Sequence, residues 1–395
     1  MEAGVSLSVK IGIGVGRVSV LHVGGTFNRV EYLAVGDPLI QAFAAEGKSV
    51  SGQVICSKDV WKLIHQYFTA DTVFDDGYVR FDLQAQNKLV PKSSKMKILQ
   101  HSFSDDDPVL ERKVKSYVAG AVLPNLNRDS PEDEQWGNEL RRCTVVFVNL
   151  GLKESHMVAA AVYDEAMVNV HDVLTTTQKC IYQYEGSINK FLLDDKGSTL
   201  IACFGLPPLA HDDDPGRAVL ASLLLCQQLF ELGLQASIGI TTGEVFCGVV
   251  GSKTRREYTV LGDSVNLSAR LMQKAGTQGG GVLCDQNTRL AAGGLLHFNP
   301  LGEMTVKGKS IPVKVFQPYP SHTTISAVPN FKGINPFEAL HKQQLQNVVV
   351  RRSFSALEAY FSSESVALHA QKAPHITPVS GITRPTSKSG GRRAS

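Results

Sequence analysis

The chain has 395 residues, 43% of them hydrophobic and 19% charged, with 40 basic against 37 acidic side chains. Those values exclude a wholly disordered chain, a coiled coil and a collagen, and a formal charge of +3 sets up no strong field for nucleic acid or membrane. The longest apolar run, Ala218 to Cys226, is too short to span a bilayer, and nothing near Met1 reads as a signal peptide. Seven cysteines, scattered and without C-x-x-C spacing, read as buried thiols of a reducing compartment. The expectation is a soluble cytoplasmic protein with no nucleic-acid partner and no membrane span.

Taken in chain order, the first informative stretch is 10–37, because it recurs at 237–263. Gly12, Gly16, Gly24, Glu31-Tyr32 and Gly36-Asp37 fall opposite Gly239, Gly243, Gly251, Glu257-Tyr258 and Gly262-Asp263, with one extra residue before Glu31 as the only gap. Each copy reads as strand, tight glycine turn, strand, loop, strand, then helix. Residues 101–141 interrupt the apolar pattern with Asp105-Asp-Asp-Pro and Asp129-Ser-Pro-Glu-Asp-Glu and read as a linker. The second copy is preceded by a strand from Cys143 to Leu150, one long helix from about Ser155 to Gln178, a hairpin (Ser187–Leu193, Ser198–Phe204) and a helix beginning near Pro215. That order is ferredoxin-like and α+β.

The first copy has only nine residues ahead of Lys10, so its matching strand, helix and hairpin are not found. Half a sheet cannot bury its own face, and the expectation is an N-terminally truncated first domain, or one that borrows surface from the second. The predicted organisation is 1–100, the C-terminal half of a first domain; 101–141, a linker; 142–320, a second domain; and 321–395, a tail. The tail holds nine basic and three acidic side chains, reads as disordered for the most part, and has a candidate amphipathic helix at about Phe337–Leu368.

The block from Glu257 to Arg270 (Glu-Tyr-Thr-Val-Leu-Gly-Asp-Ser-Val-Asn-Leu-Ser-Ala-Arg) closely resembles the signature of class III nucleotidyl cyclases. Gly186-Ser-Ile-Asn-Lys-Phe, the His211-Asp-Asp-Asp-Pro-Gly-Arg-Ala helix start and Val306-Lys-Gly-Lys-Ser-Ile-Pro support it. Thr144-Val-Val-Phe-Val-Asn-Leu, with Thr259, looks most like the soluble, bicarbonate-type adenylyl cyclases. The resemblance covers about residues 8–318. It implies tandem cyclase domains, the first incomplete, paired about a pseudo-two-fold axis with ATP between them and Mg²⁺ or Mn²⁺ as cofactor. The product would be 3′,5′-cyclic AMP with pyrophosphate, made in intracellular signalling.

Such an enzyme drives the ribose 3′-OH onto the α-phosphate of the same nucleotide, so positioning and charge stabilisation carry most of the work. By resemblance, Arg270 stabilises charge building on the α-phosphate oxygens and Asn266 orients the ribose. They are four residues apart and share one helix face. Lys190 only donates, which suits adenine N1, while the Thr259 hydroxyl can accept from the 6-amino group; Val260 adjoins it in the base site. Guanine, with an N1–H donor, would want a carboxylate where Lys190 stands. Lys10 and Lys307 match basic residues that reach the phosphates.

The metal set is where the sequence departs from the family pattern. The first aspartate position of the second domain is Asn149, which brings no charge. Asp194 and Asp195 lie near the second position but lack a partner. Asp212–Asp214, followed by Pro215, read as a helix start. No metal ligand is therefore assigned within the chain, the ligands being expected upstream of residue 1, and the chain alone is expected to turn over little. Counting seven from Gly36 gives Phe43 where soluble cyclases carry a basic residue for bicarbonate, which argues against that regulation. Gly302 to Ser310 imitates a P-loop with the wrong spacing and a strand after it. The alternatives are a catalytically inactive, cyclase-like binding or regulatory protein, and a guanylyl cyclase. Arg392-Arg-Ala-Ser395 has the form of a cyclic-AMP-dependent kinase site.

Overall fold

The computed structural model describes residues 8–82, 107–123, 138–160, 162–194, 197–251, 256–293, 296–306 and 311–320. Lys307, Asp195, Ser395, the candidate helix at 337–368 and the rest of the tail lie outside those residues.

The repeat seen in the sequence is present as a repeated ladder. In the first copy β1 (Ile11–Ile13) runs parallel to β4 (Val54–Cys56), pairing Ile11 with Val54, Gly12 with Ile55 and Ile13 with Cys56. In the second, β10 (Ser237–Gly251) runs parallel to β12 (Gly281–Asp285), pairing Ile238 with Val282, Gly239 with Leu283 and Ile240 with Cys284. A helix follows the third strand of each copy: α1 (Asp37–Lys48) after β3 (Val30–Val35), and α7 (Asp263–Thr277) after β11 (Arg256–Leu261). Gly36 and Gly262 precede these helices with φ of 142° and 156°, a left-handed conformation that a side chain would strain. Each parallel strand is then followed by a short capped helix. Ser57 caps α2 (Lys58–Ile64) through the Val60 amide, and Asp285 caps α8 (Gln286–Ala291) through the Thr288 amide.

The helix sits on its strand at the same glycine in both copies. A Cβ on Gly12 would collide with the Ala42 carbonyl oxygen and the Glu46 amide of α1. One on Gly239 would collide with the Ser268 carbonyl oxygen and the Met272 amide of α7. This register aligns Ala42 with Ser268, so Ile40 and Ala44 stand where the second copy carries Asn266 and Arg270.

The copies differ in what surrounds the ladder. The second lies in an eight-stranded sheet of order β13-β14-β12-β10-β7-β9-β8, with β11 on the far half of β10. Its other strands are β7 (Glu139–Asn149), β8 (Ser187–Asp194), β9 (Gly197–Phe204), β13 (Leu296–Met304) and β14 (Val313–Pro320). Alternation along β7 covers both faces. Val146 and Val148 join the main core with α5 (Asp164–Gln183) and α6 (Asp214–Glu231), while Val145 and Phe147 face a second cluster that includes Met272 of α7. The first copy has only four strands, β1-β4-β6-β5, completed by β5 (Ala70–Val73) and β6 (Val79–Phe81). Among the described residues β1 is an edge strand.

The borrowed surface is visible. β2 (Ser19–Gly24) and β3 form a separate two-stranded hairpin whose inward residues Leu21, Val23, Leu33 and Val35 enter the main core with α5. Gln178 of α5, fully buried, accepts from the Gly25 and Thr26 amides at 3.1 and 3.0 Å and donates to the Arg29 carbonyl at 2.9 Å. His171 accepts from the Gly24 amide at 3.3 Å. Behind this clamp Arg29 pairs with Glu31 at 2.8 Å, both side chains almost covered.

One expectation changes. The single helix from Ser155 is two, α4 (Glu154–Ala160) and α5, because Tyr163 adopts extended backbone and Asp164-Glu165 supply a fresh acidic N-terminus. Within the stretch read as a linker, α3 (Pro108–Lys115) is capped by Asp107, and the Ser116 carbonyl accepts from the Val30 amide at 2.9 Å. Tyr117 covers His22 at 2.9 Å. The P-loop mimic begins in β13 at Gly302, and the next described element is β14, a strand as expected. No helix of the described residues is long and apolar enough to cross a membrane.

Two stability tests follow. Gly239→Ala should cost about 3 kcal/mol or more in urea unfolding, since a helix backbone, not a movable side chain, must give way. Arg29→Ala should cost about 3–5 kcal/mol at pH 7, because it strands a buried carboxylate. Burial already holds the Glu31 carboxyl above its usual range, with Arg29 opposing. A raised folded-state pKa means the native chain takes that proton more readily than the unfolded one, so Glu31's contribution falls as pH rises through it. The Arg29→Ala penalty should therefore shrink near pH 5, measured as the difference between unfolding curves at the two pH values.

Candidate functional site

The Glu257–Arg270 block folds as β11, the Gly262 turn and α7. β11 pairs antiparallel with the outer half of β10, Thr259 opposite Gly248 and Val260 opposite Cys247. Period two puts Glu257 and Thr259 on one side of β11 and Tyr258 and Val260 on the other. The Val260 side chain lies in the second core cluster with Cys247 and Val245, so only its backbone is left for a ligand. Thr259 is buried.

β8 reaches β11 at this point. Lys190 Nζ meets Glu257 Oε1 at 2.9 Å, its side chain one-quarter exposed. Next to it, Asn189 Nδ2 donates to the Tyr258 carbonyl at 3.3 Å. Asn189 is the extra residue of a bulge in β8, since Ile188 pairs with Ala202 and Lys190 with Ile201. A bulge re-aims the side chains beside it, and here two consecutive residues turn toward the same strand. An ammonium has three donors, so the pair with Glu257 does not use all of them.

Asn266 is exposed on the first turn of α7, and Arg270, half-buried, follows one turn later. The structure thus brings Lys190 against the strand that carries Thr259 and leads into the helix with Asn266 and Arg270. Lys10 is placed differently. It directly precedes β1 of the four-stranded sheet, and its ammonium pairs with Glu46 of α1 at 2.7 Å. Phe43 is half-buried on α1, and neither it nor Ala44 carries a charge.

The carboxylates at the start of α6, and Glu185 beside them, are committed elsewhere. Asp214 accepts from the His211 amide at 2.8 Å, Asp213 pairs with Arg217 at 2.7 Å, and Glu185 takes both Arg217 (2.6 Å) and His211 (2.9 Å). That is a helix start braced by ion pairs, as the Asp-Pro sequence suggested. Asn149, at the end of β7, accepts from the Gly151 amide at 2.9 Å. Asp194 ends β8 opposite Gly197. Among the described residues no group of three or more His, Cys, Asp or Glu could hold a metal ion, and the neutral Asn149 amide does not fit the first aspartate position of the divalent pair that the resemblance implies. Six of the seven thiols are buried; burial pushes Cys180 up to about 12 and Cys56 up to about 11, consistent with inert core cysteines.

Sequence reasoning missed Glu257 as the partner of Lys190 and Asn189 as a tie to β11. Both lay in the segments singled out, but a cross-strand contact between residues 67 apart leaves no spacing signal.

Comparison with known proteins gives the same direction. Adenylate cyclase type 10 of Oryctolagus cuniculus is 29% identical over 311 residues, covering 73% of this chain and 18% of that protein. The Homo sapiens adenylate cyclase type 10 is 28% identical over 316 residues, again covering 73% and 18%. The chain therefore spans about a fifth of the length of these curated relatives. The crystal structure of the adenylyl cyclase CyaB from P. aeruginosa is similar at 23% identity, covering 47% of this chain and 97% of that one, with a TM-score of 0.41. Residues 158–318, from α4 to β14, match the family described as adenylate and guanylate cyclase catalytic domain.

Proposed function

We propose that the chain is the base-binding and transition-state part of an adenylyl cyclase that converts ATP to 3′,5′-cyclic AMP and pyrophosphate. The observation that carries this reading is the meeting of Lys190 with β11, directly ahead of the helix bearing Asn266 and Arg270. Lys190 donates to adenine N1 and the Thr259 hydroxyl accepts from the 6-amino group. Asn266 holds the ribose so that its 3′-oxygen attacks the α-phosphate in line. As the new P–O bond forms and the bond to pyrophosphate breaks, Arg270 offsets the charge on the equatorial oxygens; its planar fork suits that geometry. The two repeats form a pseudo-two-fold tandem pair, with the nucleotide between them. Lys307 serves the phosphates in this reading, whereas Lys10 must first leave Glu46. The carboxylates for divalent metal come from outside the described residues.

A second reading, a cyclase-like protein that binds nucleotide or a partner without turnover, is favoured by Asn149, whose amide stands at the first metal position and is tied to the Gly151 backbone. A guanylyl cyclase is disfavoured by Lys190.

The two readings part in an assay. The chain alone, with ATP and Mg²⁺ or Mn²⁺, should make little cyclic AMP. Supplying a metal-bearing cyclase half should restore it, and Arg270→Ala should then lower kcat by about 10²-fold or more. Asn266→Ala should act in the same direction. Restored turnover that is untouched by Arg270→Ala would end the assignment of α7. Absence of turnover despite measurable ATP binding would favour the second reading. Bicarbonate at fixed pH should leave the restored rate unchanged, because Phe43 and Ala44 offer it no cation.

A further inference from the structure

Asn189 is nine-tenths buried between β8 and β11. Its Nδ2 donates to the Tyr258 carbonyl at 3.3 Å, and that acceptor fixes which way the amide points. Its Oδ1 is then a fully covered acceptor with no hydrogen-bond partner among the described residues. Buried acceptors are nearly always satisfied, and an exception asks for an explanation. The position offers one. The orphan oxygen lies at the bulge, one residue from Lys190 and across from the strand carrying Thr259.

We propose that Asn189 is a specificity-determining residue of the nucleotide site, its Oδ1, covered until β8 and β11 part to admit the base, accepting a hydrogen bond from the exocyclic 6-amino group of adenine. This deepens the adenylyl reading and rests on it. The amino group has two hydrogens, so it can serve Asn189 and the Thr259 hydroxyl together. Guanine presents a carbonyl oxygen at the same place. Two acceptors would then face each other, and neither could be relieved by rotating the amide without losing the Tyr258 bond. Asn189 thus adds a rejection of 6-oxo purines to the N1 selection made by Lys190. The same side chain ties β8 to β11 through Tyr258, so base recognition and strand spacing depend on one amide.

The test measures competition by ATP and by purine riboside 5′-triphosphate against a fluorescent methylanthraniloyl-ATP probe on the full chain. The purine analogue keeps N1 and lacks only the 6-amino group. The wild-type chain should bind ATP about three- to tenfold more tightly than the analogue, the range of one hydrogen bond. Asn189→Leu should narrow ATP's advantage over the analogue, the Thr259 hydroxyl keeping the remainder. Thermal unfolding of each variant checks that the fold is intact. Equal affinities in the wild type, or an undiminished preference in folded Asn189→Leu, would overturn the proposal while leaving the adenylyl reading in place. Failure of that reading looks different: no nucleotide displaces the probe, or Lys190→Ala leaves ATP affinity unchanged, and the role of Asn189 falls with it.

Discussion

Everything at the candidate site depends on how closely α7 can approach the sheet. At Gly239 the helix backbone rests on the strand with no room for a Cβ. That contact fixes the height of α7 above β10, and with it the positions of Asn266 and Arg270 relative to β11. The Gly262 turn, with φ of 156°, sets the angle at which strand becomes helix. A side chain at either glycine would lift or tilt the helix and misplace both polar groups together. The same close approach at Gly12 in the first copy shows that the constraint belongs to the repeated unit, since Ile40 and Ala44 there give the helix no polar site to position.

The first copy solves a different problem. Its hairpin β2–β3 is apolar on one side and has too few neighbours of its own to cover it. α5 supplies the cover, and Gln178 satisfies three backbone groups of the tight turn that a purely apolar contact would leave stranded. The buried Arg29–Glu31 pair sits behind that turn. Removing one partner would be far more damaging than the pair's own net contribution, which is the usual asymmetry of a buried ion pair. The hairpin is therefore held by polar bonds as specifically as by its apolar face.

At the site itself, β8 and β11 come together although, among the described residues, β8 is the last strand on one side of the sheet and β11 pairs only with the far half of β10. Lys190–Glu257 and Asn189–Tyr258 are the observed ties between them. Both ties use side chains that face a ligand in the adenylyl reading, so strand spacing and base selection are linked. Glu257 also keeps a carboxylate beside the Lys190 ammonium, which holds that cation in place.

Local patterns carried much of this protein. The glycines of the repeat, the Asp-Pro helix start and the β11–α7 block were legible because each is a short-range backbone requirement written in consecutive residues. The resemblance to class III cyclases rested on the same block. Residues 158–318 bear it out. What the sequence could not reveal was anything that joins distant segments: the break of one helix into α4 and α5, the packing of 107–123 on the first hairpin, the pairing of Lys10 with Glu46, and Val260's side chain turned into the core. The Asn189 bulge belongs here too, because the hairpin pattern predicts strands but not the one-residue slip within them. Sequence period determines which face a residue takes inside its own element. Only the tertiary structure decides which other element waits on that face, because that choice is set by packing and pairing across the whole sheet.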